Sequence, residues 1–82
     1  MKRIAVIGAI VEKPQTSQQA FNETVAQYKG IVKGRMGIPF DEEDTAVIAL
    51  TLRGELDEIN ALTGKLGNLP GVTVKTAISG TT

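Results

Sequence analysis

Lys2-Arg3-Ile4-Ala5-Val6-Ile7-Gly8-Ala9-Ile10-Val11 and, further along, Thr45-Ala46-Val47-Ile48-Ala49-Leu50-Thr51-Leu52 are apolar on both faces when read as extended chain. Side chains alternate with period two along a strand. In the first stretch Ile4, Val6 and Ile10 point one way, and Ala5, Ile7, Ala9 and Val11 the other. In the second, Ala46, Ile48, Leu50 and Leu52 oppose Val47, Ala49 and Thr51. Such strands belong at the centre of a sheet, with two faces to bury. The helices read below both fall on one face. The other face then requires a second copy of the chain or a partner, so the pattern predicts an association module.

Outward from these strands the chain punctuates itself. The first strand spans about Lys2–Glu12 and Pro14 ends it. Thr16 is the expected N-cap of a helix running to about Lys29, with Gln19 completing a capping box. Phe21, Val25 and Tyr28 share its apolar face, with Ala20 beside them. Gly30 suits the position after the helix. A second strand covers about Ile31–Phe40, with Val32, Met36, Ile38 and Phe40 on one face and Lys33 and Arg35 on the other. Asp41-Glu42-Glu43-Asp44 forms a hairpin connection into the third strand, about Thr45–Arg53, which Gly54 closes. A second helix runs to about Leu66 on Leu56, Ile59, Leu62 and Leu66. Its first turn holds Glu55, Asp57 and Glu58 and its last Lys65, which suits the helix dipole. After the turn Gly67–Gly71, a fourth strand covers Val72–Ser79, with Val72, Val74 and Ile78 facing in.

The order βαββαβ is the split βαβ pattern, an α+β ferredoxin-like sandwich. Its antiparallel sheet is expected in the order 4-1-3-2, which puts the two double-faced strands in the centre. Lys33, Arg35, Pro39 and Lys75 fall on the edge strands, where charge and proline are tolerated. Right-handed crossovers place both helices on one face. The expected domain is residues 1–79, followed by a short C-terminal tail, 80–82.

Composition excludes whole classes of chemistry. The chain has no cysteine and no histidine. Disulfides, thiolate zinc sites, nucleophilic cysteine and imidazole general-base catalysis are out of reach. The hydroxyl residues have no histidine partner and no lysine dyad, and no Walker or dinucleotide-binding loop is present, so no catalytic residues, cofactor or metal are expected. Nine basic and nine acidic residues cancel, which argues against direct nucleic-acid binding. The apolar run Ile4–Val11 is too short to span a membrane. Met1-Lys2-Arg3 ahead of it lacks a small-residue cleavage site for a signal peptide, so a cytoplasmic protein is expected. The first and third strands hold no aromatic for stacking RNA bases, and a CxxC pair for metallochaperone work and the loop arginine of acylphosphatases are missing from the sequence.

Several positions have both a ligand-binding and a structural reading. Glu12, Lys13 and Gln15 stand at the junction of the first strand and first helix, where backbone N–H groups can hold an anion; a plain polar loop is the alternative. Gly34 and Gly37 lie inside the second strand, where they either admit a ligand or second subunit against the backbone or bend the edge. Arg35 between them is a partner for an anion or a gatekeeper of the edge strand. The acidic run Asp41–Asp44 is either a hard-cation site or a solvated tip, and it lacks the spacing of an EF-hand loop.

Arg3-Ile4-Ala5-Val6-Ile7-Gly8, Gly34-Arg35-Met36-Gly37-Ile38-Pro39 and Leu69-Pro70-Gly71-Val72 together resemble the small regulators of the iron-only hydrogenase system. The resemblance spans nearly the whole chain and rests on structural motifs. It implies a self-associating ferredoxin-like domain related to ACT domains and to the C-terminal domain of nickel-responsive regulators. The nickel regulators carry a ribbon–helix–helix DNA-binding segment; with the first strand starting at residue two, no such segment is expected here. Their His and Cys ligands correspond to positions near Ile38, Phe40 and Ala46, which cannot bind metal, so nickel sensing does not carry over. ACT domains often use a glycine in the loop after the first strand, where this chain has Lys13-Pro14-Gln15.

The resulting expectation is a regulatory module that forms a homodimer or homotetramer and binds a small-molecule ligand at the subunit interface or a regulator protein. The alternatives are an assembly scaffold without a ligand, and a transcription regulator acting on DNA directly or through a partner.

Overall fold

Strict alternation carries the first strand, β1, through Lys2–Glu12, and Ala5, Ile7, Ala9 and Val11 are buried while their neighbours are not. The computed structural model describes residues 1–80. The elements that follow are α1 (Pro14–Ala26), β2 (Val32–Phe40), a short 3₁₀ turn (Asp41–Glu43), β3 (Thr45–Glu55), α2 (Leu56–Gly67) and β4 (Val72–Ile78). All strand pairs are antiparallel in the order β2-β3-β1-β4, the ferredoxin-like arrangement expected from the sequence. Thr81 and Thr82 of the expected tail lie outside the described residues.

Both helices cover one face. Phe21 and Val25 of α1 and Ile59, Leu62 and Leu66 of α2 pack on Ala5, Ile7, Ala9 and Val11 of β1 and on Ile48, Leu50 and Leu52 of β3. The helices are tied to each other and to the sheet by a few polar contacts. Lys65 of α2 sits 5.1 Å over the ring of Tyr28 in the turn that follows α1, and the Thr63 and Thr76 hydroxyls meet at 2.9 Å.

Local structure departs from expectation where capping chemistry competes. Helix α1 starts before Thr16: Pro14 takes the first helical turn, where its missing N–H is no loss, and Lys13 precedes it in the left-handed region at φ 51°. Thr16 instead donates its hydroxyl to the Lys13 carbonyl, so it and Gln19 form no capping box. The helix ends at Ala26, three residues short of Lys29, and Gly30 is not in the left-handed conformation. A capping box forms at α2, where the Glu58 carboxylate accepts the Glu55 N–H at 3.2 Å. Gly54 does not end β3. It pairs with Arg3 inside the strand, and a Cβ there would stand 2.7 Å from Ile31 Cγ2.

The second strand carries a β-bulge at Lys33, between the pairs Val32↔Leu52 and Gly34↔Thr51. The extra residue puts Val32 on the helix side, while Met36, Ile38 and Phe40 face away from it. Arg35, opposite buried Leu50, therefore lies on the helix side and not on the open face.

Gly71 closes the turn into β4 with φ +78°, and its carbonyl accepts the Glu12 N–H at 2.7 Å. A Cβ there would stand 2.9 Å from Ser17 Oγ and 3.1 Å from the Glu12 carbonyl. Backbone strain and crowding add, so Gly71→Ala is expected to destabilise by about 2–3 kcal/mol. A thermal melt reads this as a Tm roughly 10 °C lower or more, and an unchanged Tm would show that the turn relaxes freely.

Candidate functional site

Residues directly opposite on neighbouring strands share a face, so the strand registers define the uncovered side of the sheet. Across β2-β3-β1-β4 it reads Ile38, Val47, Ile10, Thr73; then Met36, Ala49, Gly8, Lys75; then Gly34, Thr51, Val6, Ala77. Phe40 and Ile4 extend it at opposite ends. Ile4, Val6, Ile10, Met36, Ile38 and Phe40 are each 45–62% exposed, and with Met1 they make up the large exposed apolar side chains of the described residues. Within the three central rows Lys75 alone is charged. Isolated exposed apolar residues are normal on a surface, but a continuous field of them marks an interaction site.

Gly8 and Gly34 both lie on this face. A Cβ at Gly8 would come no nearer than 4.0 Å to the Lys75 carbonyl, and at Gly34 no nearer than 3.9 Å to Thr51 Cβ. Packing within one chain therefore does not require either glycine. The edges are less inviting: β2 carries Pro39 and the bulge at Lys33, and β4 is seven residues long with Lys75 in its middle.

On the helix side a groove runs between α1 and β2. Two adjoining hollows of about 390 and 330 Å³ share Gln18, Pro39 and Ala46. Gln15 and Pro14 line one; Arg35, Gly37 and Ile48 line the other. The groove exists because β2 presents Gly37 and Pro39 there, and a Cβ on Gly37 would meet nothing within 4 Å. Arg35 bridges to α1: its Nη2 donates to Asn22 Oδ1 at 2.6 Å, and its guanidinium carbon lies 5.6 Å from the centre of the buried Phe21 ring.

The structure thus brings Gln15, Arg35 and Gly37 to one groove. Glu12 and Lys13 line a neighbouring hollow with Glu43, Asp44 and Thr45, where the Lys13 N–H donates to the Asp44 carbonyl at 2.8 Å. Gly34 lies on the opposite, open face. Asp41 and Asp44 flank the groove, and among the described residues no three acidic side chains converge as metal ligands would. Gln18 and Asn22 carry no sequence-based expectation, and Pro39 carries one only as an edge-strand proline and as part of the family motif. Gln15, Gln18 and Asn22 recur at i, i+3 and i+7, and that polar stripe on α1 was the available signal.

Residues 3–76 match the model of the TM1266-like family, described as "Iron-only hydrogenase system regulator, putative". No curated protein matches the chain. Among solved structures the fold is similar to that of the uncharacterized protein TM1266 from Thermotoga maritima, at 35% identity and a TM-score of 0.93, with 98% of this chain and 100% of that one covered. The matched residues span both central strands and both helices, and the chain belongs to the TM1266-like family.

Proposed function

We propose that this protein is a regulatory module that works by self-association through its open sheet face, with a small ligand held on the chain to adjust that state. The single observation that carries the reading is the continuous apolar field from Ile38 and Met36 across to Ile10, Val6 and Ile4, on the side no helix covers. Burying a half-exposed aliphatic side chain contributes about 1 kcal/mol. A dozen such side chains from two copies contribute about 12 kcal/mol, comparable with the upper part of what association costs in lost motion, about 4–15 kcal/mol. The two glycines of the face would let a partner approach the backbone of β1 and β2 closely. A chain with no histidine or cysteine and no net charge is better suited to acting on a protein partner than to catalysis or direct DNA contact.

Sedimentation velocity on the purified chain tests the association. A dimer or tetramer persisting at about 10 μM is expected, because symmetric closed assemblies are the usual outcome of a self-complementary patch. A monomer at about 100 μM would remove the basis of the reading.

A further inference from the structure

We infer that the groove between α1 and β2 binds a small monocarboxylate with an apolar body, its carboxylate taken by Arg35. The inference rests on the regulatory reading for its purpose, but not for its chemistry. The groove lies on the helix side of one protomer and assembly is proposed for the opposite face, so the two are separately measurable.

Arg35 supplies the charge. Among the described residues no carboxylate lies within ion-pair distance of it, and its side-chain partner is the neutral amide of Asn22. A guanidinium has five N–H donors in a planar fork. One is used at Asn22, leaving donors for the bidentate geometry that a carboxylate fits. The floor beside it is apolar: Ala46 and Ile48 are buried beneath, and Gly37 and Pro39 bring no polar side chain. Gln18 forms the wall along both hollows and offers an amide to a polar substituent. At the far end stand Asp41 and Asp44. Two carboxylates there repel a second negative charge, so a ligand with one carboxylate and a neutral or cationic tail is favoured over a dianion. Each hollow by itself is at the small end of ligand sites, which suits a molecule of several carbons.

Hexanoate is the probe, with hexan-1-ol and adipate as comparisons of the same length. Amide resonances of the 15N-labelled chain are followed by NMR while sedimentation is recorded on the same samples. Hexanoate is expected to shift Gln18, Gly37 and Ala46 saturably in the millimolar range, with hexan-1-ol and adipate at least about tenfold weaker. Arg35→Gln is expected to weaken hexanoate about tenfold or more. Gly37→Leu, which fills the groove where a Cβ has open space, is expected to abolish binding while preserving a dispersed spectrum. Equal binding by Arg35→Gln, saturation at other residues, or no saturable shift by about 20 mM hexanoate would overturn the inference. An assembled sample that ignores hexanoate overturns this inference alone. A monomer that binds it overturns the assembly reading alone.

Discussion

If the open face mediates the proposed self-association, Val6→Lys is expected to sediment as a monomer at concentrations where the unsubstituted chain assembles, with a dissociation constant raised at least about 100-fold. Val6 pairs with Thr51 on one side and Ala77 on the other, in the middle of the open face, and is 45% exposed. No acidic side chain occupies the central rows to receive the new ammonium, and Lys75, diagonally across from Val6, repels it. In a two-fold assembly the substitution enters twice, because each copy presents the same patch. Burying even one unpaired cation costs several kcal/mol unless it reaches water, and a 100-fold change corresponds to about 2.7 kcal/mol. The protomer itself should be untouched. Val6 makes no contribution to the helix-covered core, whose β1 members are Ala5, Ile7, Ala9 and Val11, so at low concentration the far-UV spectrum should match that of the parent. Val6→Leu is the control and should remain assembled, since it keeps an apolar side chain at the same place. If Val6→Lys stays assembled with unchanged affinity, association runs through the edges of β2 or β4 and the face reading is wrong. If both variants dissociate, shape rather than polarity limits the packing at Gly8 and Gly34.

The parts of this architecture written in hydrophobic period were legible in the sequence. The registers of β1 and β3 leave Ile4, Val6 and Ile10 outside and Ala46, Ile48, Leu50 and Leu52 inside, as alternation demands. What escaped were features set by one residue's competition with its surroundings. The bulge at Lys33 changes the face of Val32 relative to Met36 without altering composition, so counting by twos along β2 sends Arg35 to the wrong side. Thr16 looks like a cap because threonine often is one, yet Pro14 begins a helix more readily than threonine caps it when Lys13 can enter the left-handed region. Gly54 looks like a stop, but it is a point of close approach to Ile31 inside the strand, and that misreading hid the Glu55–Glu58 capping box immediately after it. The groove is a gap between two elements and leaves only an indirect trace, the polar stripe Gln15–Gln18–Asn22. Arg35 was singled out for its charge, but the destination of that charge, over Phe21 and against α1, follows from the bulge.

Phe21→Ala is expected to cost about 3–5 kcal/mol, the largest stability loss from any single truncation in this chain. Phe21 is fully buried and is the bulkiest of the fully buried side chains. Helix α1 has few other anchors: its buried residues are Phe21, Thr24 and Val25, and the Thr24 hydroxyl is spent on the Ala20 carbonyl at 2.9 Å. The helix is thirteen residues long, too short to persist without its packing. A cavity of phenyl size beneath it therefore threatens the whole element, whereas the same truncation in β3 would leave a strand still paired on both sides. A domain of this length has a total stability of roughly 4–12 kcal/mol, so the variant should be largely unfolded at 37 °C or melt more than about 15 °C below the parent. Urea unfolding at matched protein concentration measures the difference, with concentration held fixed because assembly adds to apparent stability. Phe21→Leu, which keeps most of the volume, should cost less than half as much. A loss under about 1 kcal/mol for Phe21→Ala would mean that α1 is held mainly through α2, by contacts such as Lys65 over Tyr28. The substitution also takes away the ring beneath the Arg35 guanidinium. If the proposed groove site holds, residual folded Phe21→Ala should lose hexanoate binding more steeply than its folded fraction falls, because the groove wall and the cation both depend on where α1 sits.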